Sequence, residues 1–214
     1  MRTPTRPSQT LTLLTACLAF GLGHARAQCP LVDVTLQNAT ASFTQDCGSY
    51  APAFAVDASP ATAWALGHCS GGGDTTLSES LVFETSADFG GPGLTRLVVE
   101  IFSGGAFNGA GGGNLSVGRF LLSFTQADRA DFANGARAGG QLGSAWTPLV
   151  PSIVLASRAD SLGNALPENP DLDPTSTIAP DGTVLIGGPS PEFAVYTVIA
   201  TVPSGIVRGL RNPA

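Results

Sequence analysis

Short runs of branched and aromatic residues recur along the chain, separated by clusters of Gly, Pro, Asn, Asp and Ser. That punctuation is typical of strands joined by turns. It predicts strands over residues 31–36, 40–44, 53–56, 81–84, 94–102, 117–124, 153–155, 183–186 and 193–201. Several of these alternate with period two. Phe120, Leu122 and Phe124 share one face, with Arg119, Leu121 and Ser123 on the other. Leu97, Val99 and Ile101 form a second such face, and Phe193, Val195 and Ile199 a third. No segment has a convincing helical period. The best candidate is 127–134, one or two turns ended by Gly135 as a C-cap. The pattern predicts an all-β fold, a sandwich or jelly roll in which two sheets bury their inner faces against each other. No internal repeat and no domain boundary interrupts it.

The N-terminus departs from this pattern. Arg2 and Arg6 precede an uncharged apolar stretch over residues 11–23, and Ala25-Arg26-Ala27 follows with small residues flanking one position. This is the layout of a secretory signal, with cleavage expected before Gln28. The apolar run is shorter than the ~20 residues a permanent transmembrane anchor requires. Residues 1–27 therefore read as a signal peptide and 28–214 as a single domain, long enough to bury a core. An alternative reading is a lipoprotein tethered through Cys17, because Leu14-Thr15-Ala16-Cys17 has the form of a lipobox. The apolar run continues past Cys17 through Leu18, Phe20 and Leu22, which weighs against it.

Charge narrows the partner classes. Beyond residue 27 the chain holds seven arginines against 16 acidic residues, a net charge of −9, and it has no lysine. A nucleic-acid partner is excluded on this ground, since a phosphate backbone calls for a basic patch. Three cysteines remain: Cys29, Cys47 and Cys69. Export favours disulfides. The turn-like settings Asp46-Cys47-Gly48 and His68-Cys69-Ser70 make Cys47 and Cys69 the preferred pair, with both unpaired as the alternative. Cys29 is then left over.

Catalytic chemistry finds few residues to carry it. Gly67-His68-Cys69-Ser70-Gly71 has the G-x-C-x-G form of a nucleophile elbow. Its histidine, the only one beyond residue 27, sits next to the cysteine instead of folding back onto it from elsewhere, so a hydrolase is disfavoured. Zinc needs clustered Cys and His, which are absent from the sequence. The glycine-dense stretch 103–114 reads as a long hairpin loop, either an ordinary surface loop or a ligand-facing one carrying Phe107 and Asn108. A proline-rich loop over 164–176 has similar standing. Within Asp57-Ala58-Ser59-Pro60-Ala61-Thr62-Ala63-Trp64, Asp57 and Thr62 place two oxygen-bearing side chains in one tight turn. This suits a hard cation such as calcium, or an Asx turn in which Asp57 binds its own backbone.

These stretches, in this order, resemble the discoidin-like (coagulation-factor type C) modules of the galactose-binding-like class, in a bacterial secreted branch. The resemblance rests on Ala39-Thr40-Ala41-Ser42-Phe43-Thr44, on Asp57 to Trp64, and on Leu81-Val82-Phe83-Glu84. Val117-Gly118-Arg119-Phe120, Ala145-Trp146-Thr147-Pro148, and Asp181-Gly182 with the strand after it extend it. It implies a jelly-roll β-sandwich without catalytic activity that binds an extracellular glycan or a surface protein at the loops of one end. It also implies a structural calcium held by Asp57 and Thr62, and a buried Trp64. Trp146 stands open between a sugar-stacking platform and a core residue. Two departures are visible. Ala58 stands where the pattern has glycine, and the chain closes on Gly209-Leu210-Arg211-Asn212-Pro213-Ala214 where related modules continue into a last strand. The first expectation is a carbohydrate-binding module; the second is a structural or protein-interaction component of an envelope or matrix.

Overall fold

Alternation becomes strand wherever a polar face lets one side stay in water. The computed structural model describes residues 11–15, 31–45, 50–65, 79–104, 117–143 and 145–213. Its strands are β1 (Leu11–Thr15), β2 (Leu31–Val34), β3 (Leu36–Ala41), β4 (Ser80–Gly91), β5 (Thr95–Gly104), β6 (Arg119–Phe120) and β7 (Ser123–Thr125). They continue with β8 (Thr147–Pro148), β9 (Pro151–Arg158), β10 (Thr175–Ile178), β11 (Val184–Gly187), β12 (Phe193–Val202) and β13 (Gly205–Pro213). Every pairing among them is antiparallel. The fold is all-β.

One five-stranded sheet runs β2-β1-β5-β12-β9 and another runs β3-β4-β13-β7-β8, with a three-stranded sheet β10-β11-β6 beside them. A single apolar cluster joins all three. Leu97, Tyr196, Val198 and Val202 come from the first sheet, Phe89, Phe124, Val207 and Leu210 from the second, and Phe120 and Val184 from the third. Tyr196 is fully buried, with its ring 6.1 Å from that of Phe120. Shared burial of facing sheets gives the molecule its sandwich-like character.

The face formed by Phe120, Leu122 and Phe124 is buried as expected. The strand predicted over 117–124 is nonetheless broken. Phe120 pairs with β11, whereas Ser123 to Thr125 pair with β13 and β8, so the chain changes sheets at Leu121 and Leu122. Strand 193–201 also departs from expectation. Its core face carries Ala194, Tyr196, Val198, Ala200 and Val202, while Phe193, Val195 and Ile199 point away from that core. Both faces of β12 are apolar, so alternation could not tell inside from outside.

Three further expectations are corrected. Residues 53–56 are not a strand, because Pro52–Ala55 forms a 3-10 turn with Pro52 at its first turn, where a missing N–H costs nothing. The helical candidate over 127–134 shortens to one 3-10 turn, Arg129–Asp131, capped by the Asp128 carboxylate on the Ala130 N–H; Ala133, at φ 63, then turns the chain. Residues 205–213, for which no strand was predicted, form β13, at the centre of its sheet between β4 and β7. The segment assigned to the signal peptide contributes β1, which lies between β2 and β5.

Candidate functional site

Residues 126–143 leave β7 and lie across the outward face of the sheet containing β4 and β13, and residues 145 and 146 lie beside them. Two anchors hold this segment down. The Arg129 guanidinium donates to the Thr85 carbonyl at 2.9 Å and forms an ion pair with Asp88 at 2.6 Å. Arg208 reaches the other Asp88 oxygen at 3.3 Å, and these two cations hold the Asp88 carboxyl below its ordinary value. Further along, the Asn38 side-chain amide donates to the Ala133 carbonyl at 2.6 Å and to Glu84 at 2.9 Å. Asn134 closes the distal turn by accepting from the Ala136 and Gln141 N–H groups at 3.2 Å and 3.1 Å. Between the anchors Phe132 is buried against Val82 and Ala133.

These anchors position Trp146. Its indole N–H donates to the Leu142 carbonyl at 2.5 Å, and its ring meets that of Phe132 nearly edge-on, 5.5 Å away at 78°. The Arg211 guanidinium lies over the ring, 5.4 Å from its centroid. Such a contact is worth about 0.5–2 kcal/mol, more as water is excluded. Burial lowers the Arg211 pKa from its ordinary value. Arg211 Nε and Ser123 Oγ, on residues opposite one another in the ladder, are buried with no hydrogen-bond partner among the described residues.

A half-buried tryptophan fixed in this way lines two shallow grooves. One, of about 450 Å³, places Gln126, Thr147 and Ser204 beside the indole. The other, of about 330 Å³, adds Thr125, Asp131 and Gln141. The grooves bring amides, hydroxyls and the indole together in one mixed polar and apolar lining.

Of the residues singled out in the sequence, Trp146 is at this site. Phe107 and Asn108 lie outside the described residues, as do Cys47, Cys69, Cys29 and His68. Asp57 and Thr62 do come together, in a separate turn. The Thr62 hydroxyl lies 3.0 Å and 2.8 Å from the two Asp57 oxygens, and the Ser59 N–H donates to Asp57 Oδ1 at 2.9 Å. This is the Asx turn. Ala58 adopts φ 63 there, the left-handed conformation that glycine would take without strain. The turn offers one carboxylate, one hydroxyl and the Ser59 carbonyl, already bonded to one another, whereas calcium takes about six to eight oxygens. Among the described residues no group of three or more His, Cys, Asp or Glu side chains is placed to hold a metal. Trp64 is half-buried and donates its indole N–H to the Phe43 carbonyl at 3.0 Å, which fits a structural role.

Sequence reasoning missed Arg211, Phe132, Gln126 and Gln141. Arg211 was one arginine among seven scattered ones, and Phe132 lay in a presumed helix. No local signal marks either of them. No family model, curated protein or solved structure matches the chain. Among the described residues, no helix is long and apolar enough to cross a membrane.

Proposed function

We propose that this chain is a secreted, non-catalytic binding module of the jelly-roll, galactose-binding-like type, and that it takes extracellular carbohydrate at the Trp146 grooves. The observation that carries the proposal is the half-buried Trp146 indole, held by Leu142, Phe132 and Arg211 and flanked by Gln126, Thr147 and Gln141. A pyranose presents C–H groups on one face and hydroxyls around its rim. The indole would stack on the former while the amides and hydroxyls meet the latter. Fixing the ring beforehand lowers the ordering cost of binding. Export rests on the N-terminal pattern of Arg2, Arg6, the apolar stretch and Ala25-Arg26-Ala27. A structural calcium at Asp57 and Thr62 belongs to this reading, with further oxygen ligands completing its shell.

A second reading is a structural or protein-interaction component. It is favoured by the outward face of β9, where Ile153 and Leu155 are 41% and 56% exposed.

Affinity electrophoresis through native gels containing different polysaccharides tests the first reading. The exported protein should be retarded in at least one gel, and Trp146→Ala should migrate there as in a gel without polysaccharide. Free migration of the parent in every gel, or equal retardation of Trp146→Ala, would turn the assignment to the second reading.

A further inference from the structure

Among the described residues the smaller groove at Trp146 is lined by one charged side chain, Asp131, and the larger groove by none. Asp131 ends the 3-10 turn Arg129–Asp131, which is held by Arg129 on Thr85 and Asp88 and by the Asp128 cap at its start. The next residue is Phe132, whose ring meets that of Trp146, so the turn carries Asp131 to the same groove as the indole. Asp131 is exposed, and among the described residues its carboxylate accepts no hydrogen bond and pairs with no cation.

The polar atoms left free in this groove are mostly acceptors. The Trp146 indole N–H is spent on the Leu142 carbonyl, and the Gln141 amide nitrogen donates to the Ala130 carbonyl at 3.0 Å. The Gln141 side-chain oxygen and both Asp131 oxygens remain for a ligand. An ammonium group, with three donors and no acceptor, complements such a set, whereas a hydroxyl brings one donor and a carboxylate none. A hydrogen bond between an ammonium and a carboxylate is also roughly twice as strong as one between neutral groups.

Anionic ligands are disfavoured for two further reasons. The arginines around the site line neither groove, since Arg129 and Arg208 share Asp88 and Arg211 lies over the Trp146 ring. Beyond residue 27 the net charge is −9, a field that draws cations and repels polyanions.

We infer, resting on the carbohydrate reading above, that the sugar taken at Trp146 is a hexosamine with a free amine, its ammonium group bound by Asp131 and Gln141. N-acetylation would replace three charged donors with one neutral one and remove the match.

Isothermal titration calorimetry of the exported protein tests this with short oligomers of glucosamine, N-acetylglucosamine and glucose, at pH ~6, below the ~7.7 of an ordinary α-amine. The glucosamine oligomer should bind at least about fivefold more tightly than the other two. Asp131→Asn keeps the shape of the side chain and should erase that preference. Asp171→Asn, the same charge change on an exposed residue outside both grooves, should leave it intact. Trp146→Ala should abolish binding, with thermal melts confirming that each variant folds. A preference that survives Asp131→Asn overturns the inference, as does glucosamine binding that survives Trp146→Ala, the mark of a polycation adsorbing to an acidic surface. Binding through Trp146 without preference for the amine overturns the inference and leaves the carbohydrate reading standing. A parent that binds none of the oligomers, and that no polysaccharide gel retards, overturns both.

Discussion

Gly209 lies beneath the ring that supports Trp146, so replacing it with alanine probes the construction of the site directly. A Cβ at this position would overlap Phe132 Cε2 and stand 2.6 Å from Cζ and 3.0 Å from the Phe83 carbonyl oxygen. Carbon atoms pack best at about 3.5–4.0 Å, so the ring would have to retreat by about 1 Å. Phe132 is only 1% exposed and is wedged against Val82 and Trp146, which leaves it little room to do so. Two effects of opposite sign compete. Replacing glycine with alanine at a compatible site stabilises by about 0.4–1 kcal/mol through the unfolded chain, and Gly209 has no positive φ to oppose it. Overpacking a filled core costs about 1–3 kcal/mol. With so little room the cost should fall in the upper half of that range, about 2–3 kcal/mol, leaving a net destabilisation of about 1–2.6 kcal/mol. In a chain of this length each kcal/mol lowers Tm by roughly 2–4 °C.

Urea and thermal unfolding of Gly209→Ala, Phe132→Ala and the double variant would measure it. Phe132→Ala alone should cost about 3–5 kcal/mol. With the ring gone, Gly209→Ala should become neutral or stabilising, a coupling of about 1–2 kcal/mol. A Gly209→Ala protein as stable as its parent, or one that loses the same stability with and without the Phe132 ring, would refute this account of how Trp146 is supported.

Two other predictions concern charge. Asp173 accepts hydrogen bonds from the Asn169 N–H at 2.6 Å and the Arg158 N–H at 3.0 Å and pairs with the Arg158 guanidinium at 3.1 Å, and these contacts depress its pKa below the ordinary 3.8. A carboxylate with a depressed folded value contributes stability above its unfolded pKa and loses it as pH falls through the folded one. Asp173→Asn should therefore lower Tm at neutral pH, and its deficit against the parent should shrink below pH ~4 in a series of melts; a constant deficit down to the acid limit would contradict this. Asp57→Ala should remove the Asx turn and cost about 0.5–1.5 kcal/mol, equally in calcium and in chelator. A parent Tm that rises with added calcium and falls on chelation would show instead that Asp57 belongs to a cation site.

Much of the strand content was legible because the chain alternates wherever one face meets water. Phe120, Leu122 and Phe124 announced their burial through the polar residues between them. β12 did not, since Phe193, Val195 and Ile199 are as apolar as the residues that face the core. β13 was hidden for another reason. Gly205 to Pro213 shows no alternation that would mark a strand, and it becomes one because β4 and β7 supply the ladder on either side.

The sequence by itself determined the all-β class, the positions of most strands, and the local turn that brings Thr62 to Asp57 five residues away. Each of these depends on neighbours close along the chain, where periodicity and turn chemistry act. Only the tertiary structure decided which face of β12 is core, that β5 pairs with β1 as well as β12, and that Arg211 and Phe132 meet Trp146. Those contacts join residues far apart in sequence. They exist because burying the facing sheets fixes strand order and register, and neither is written in any local pattern.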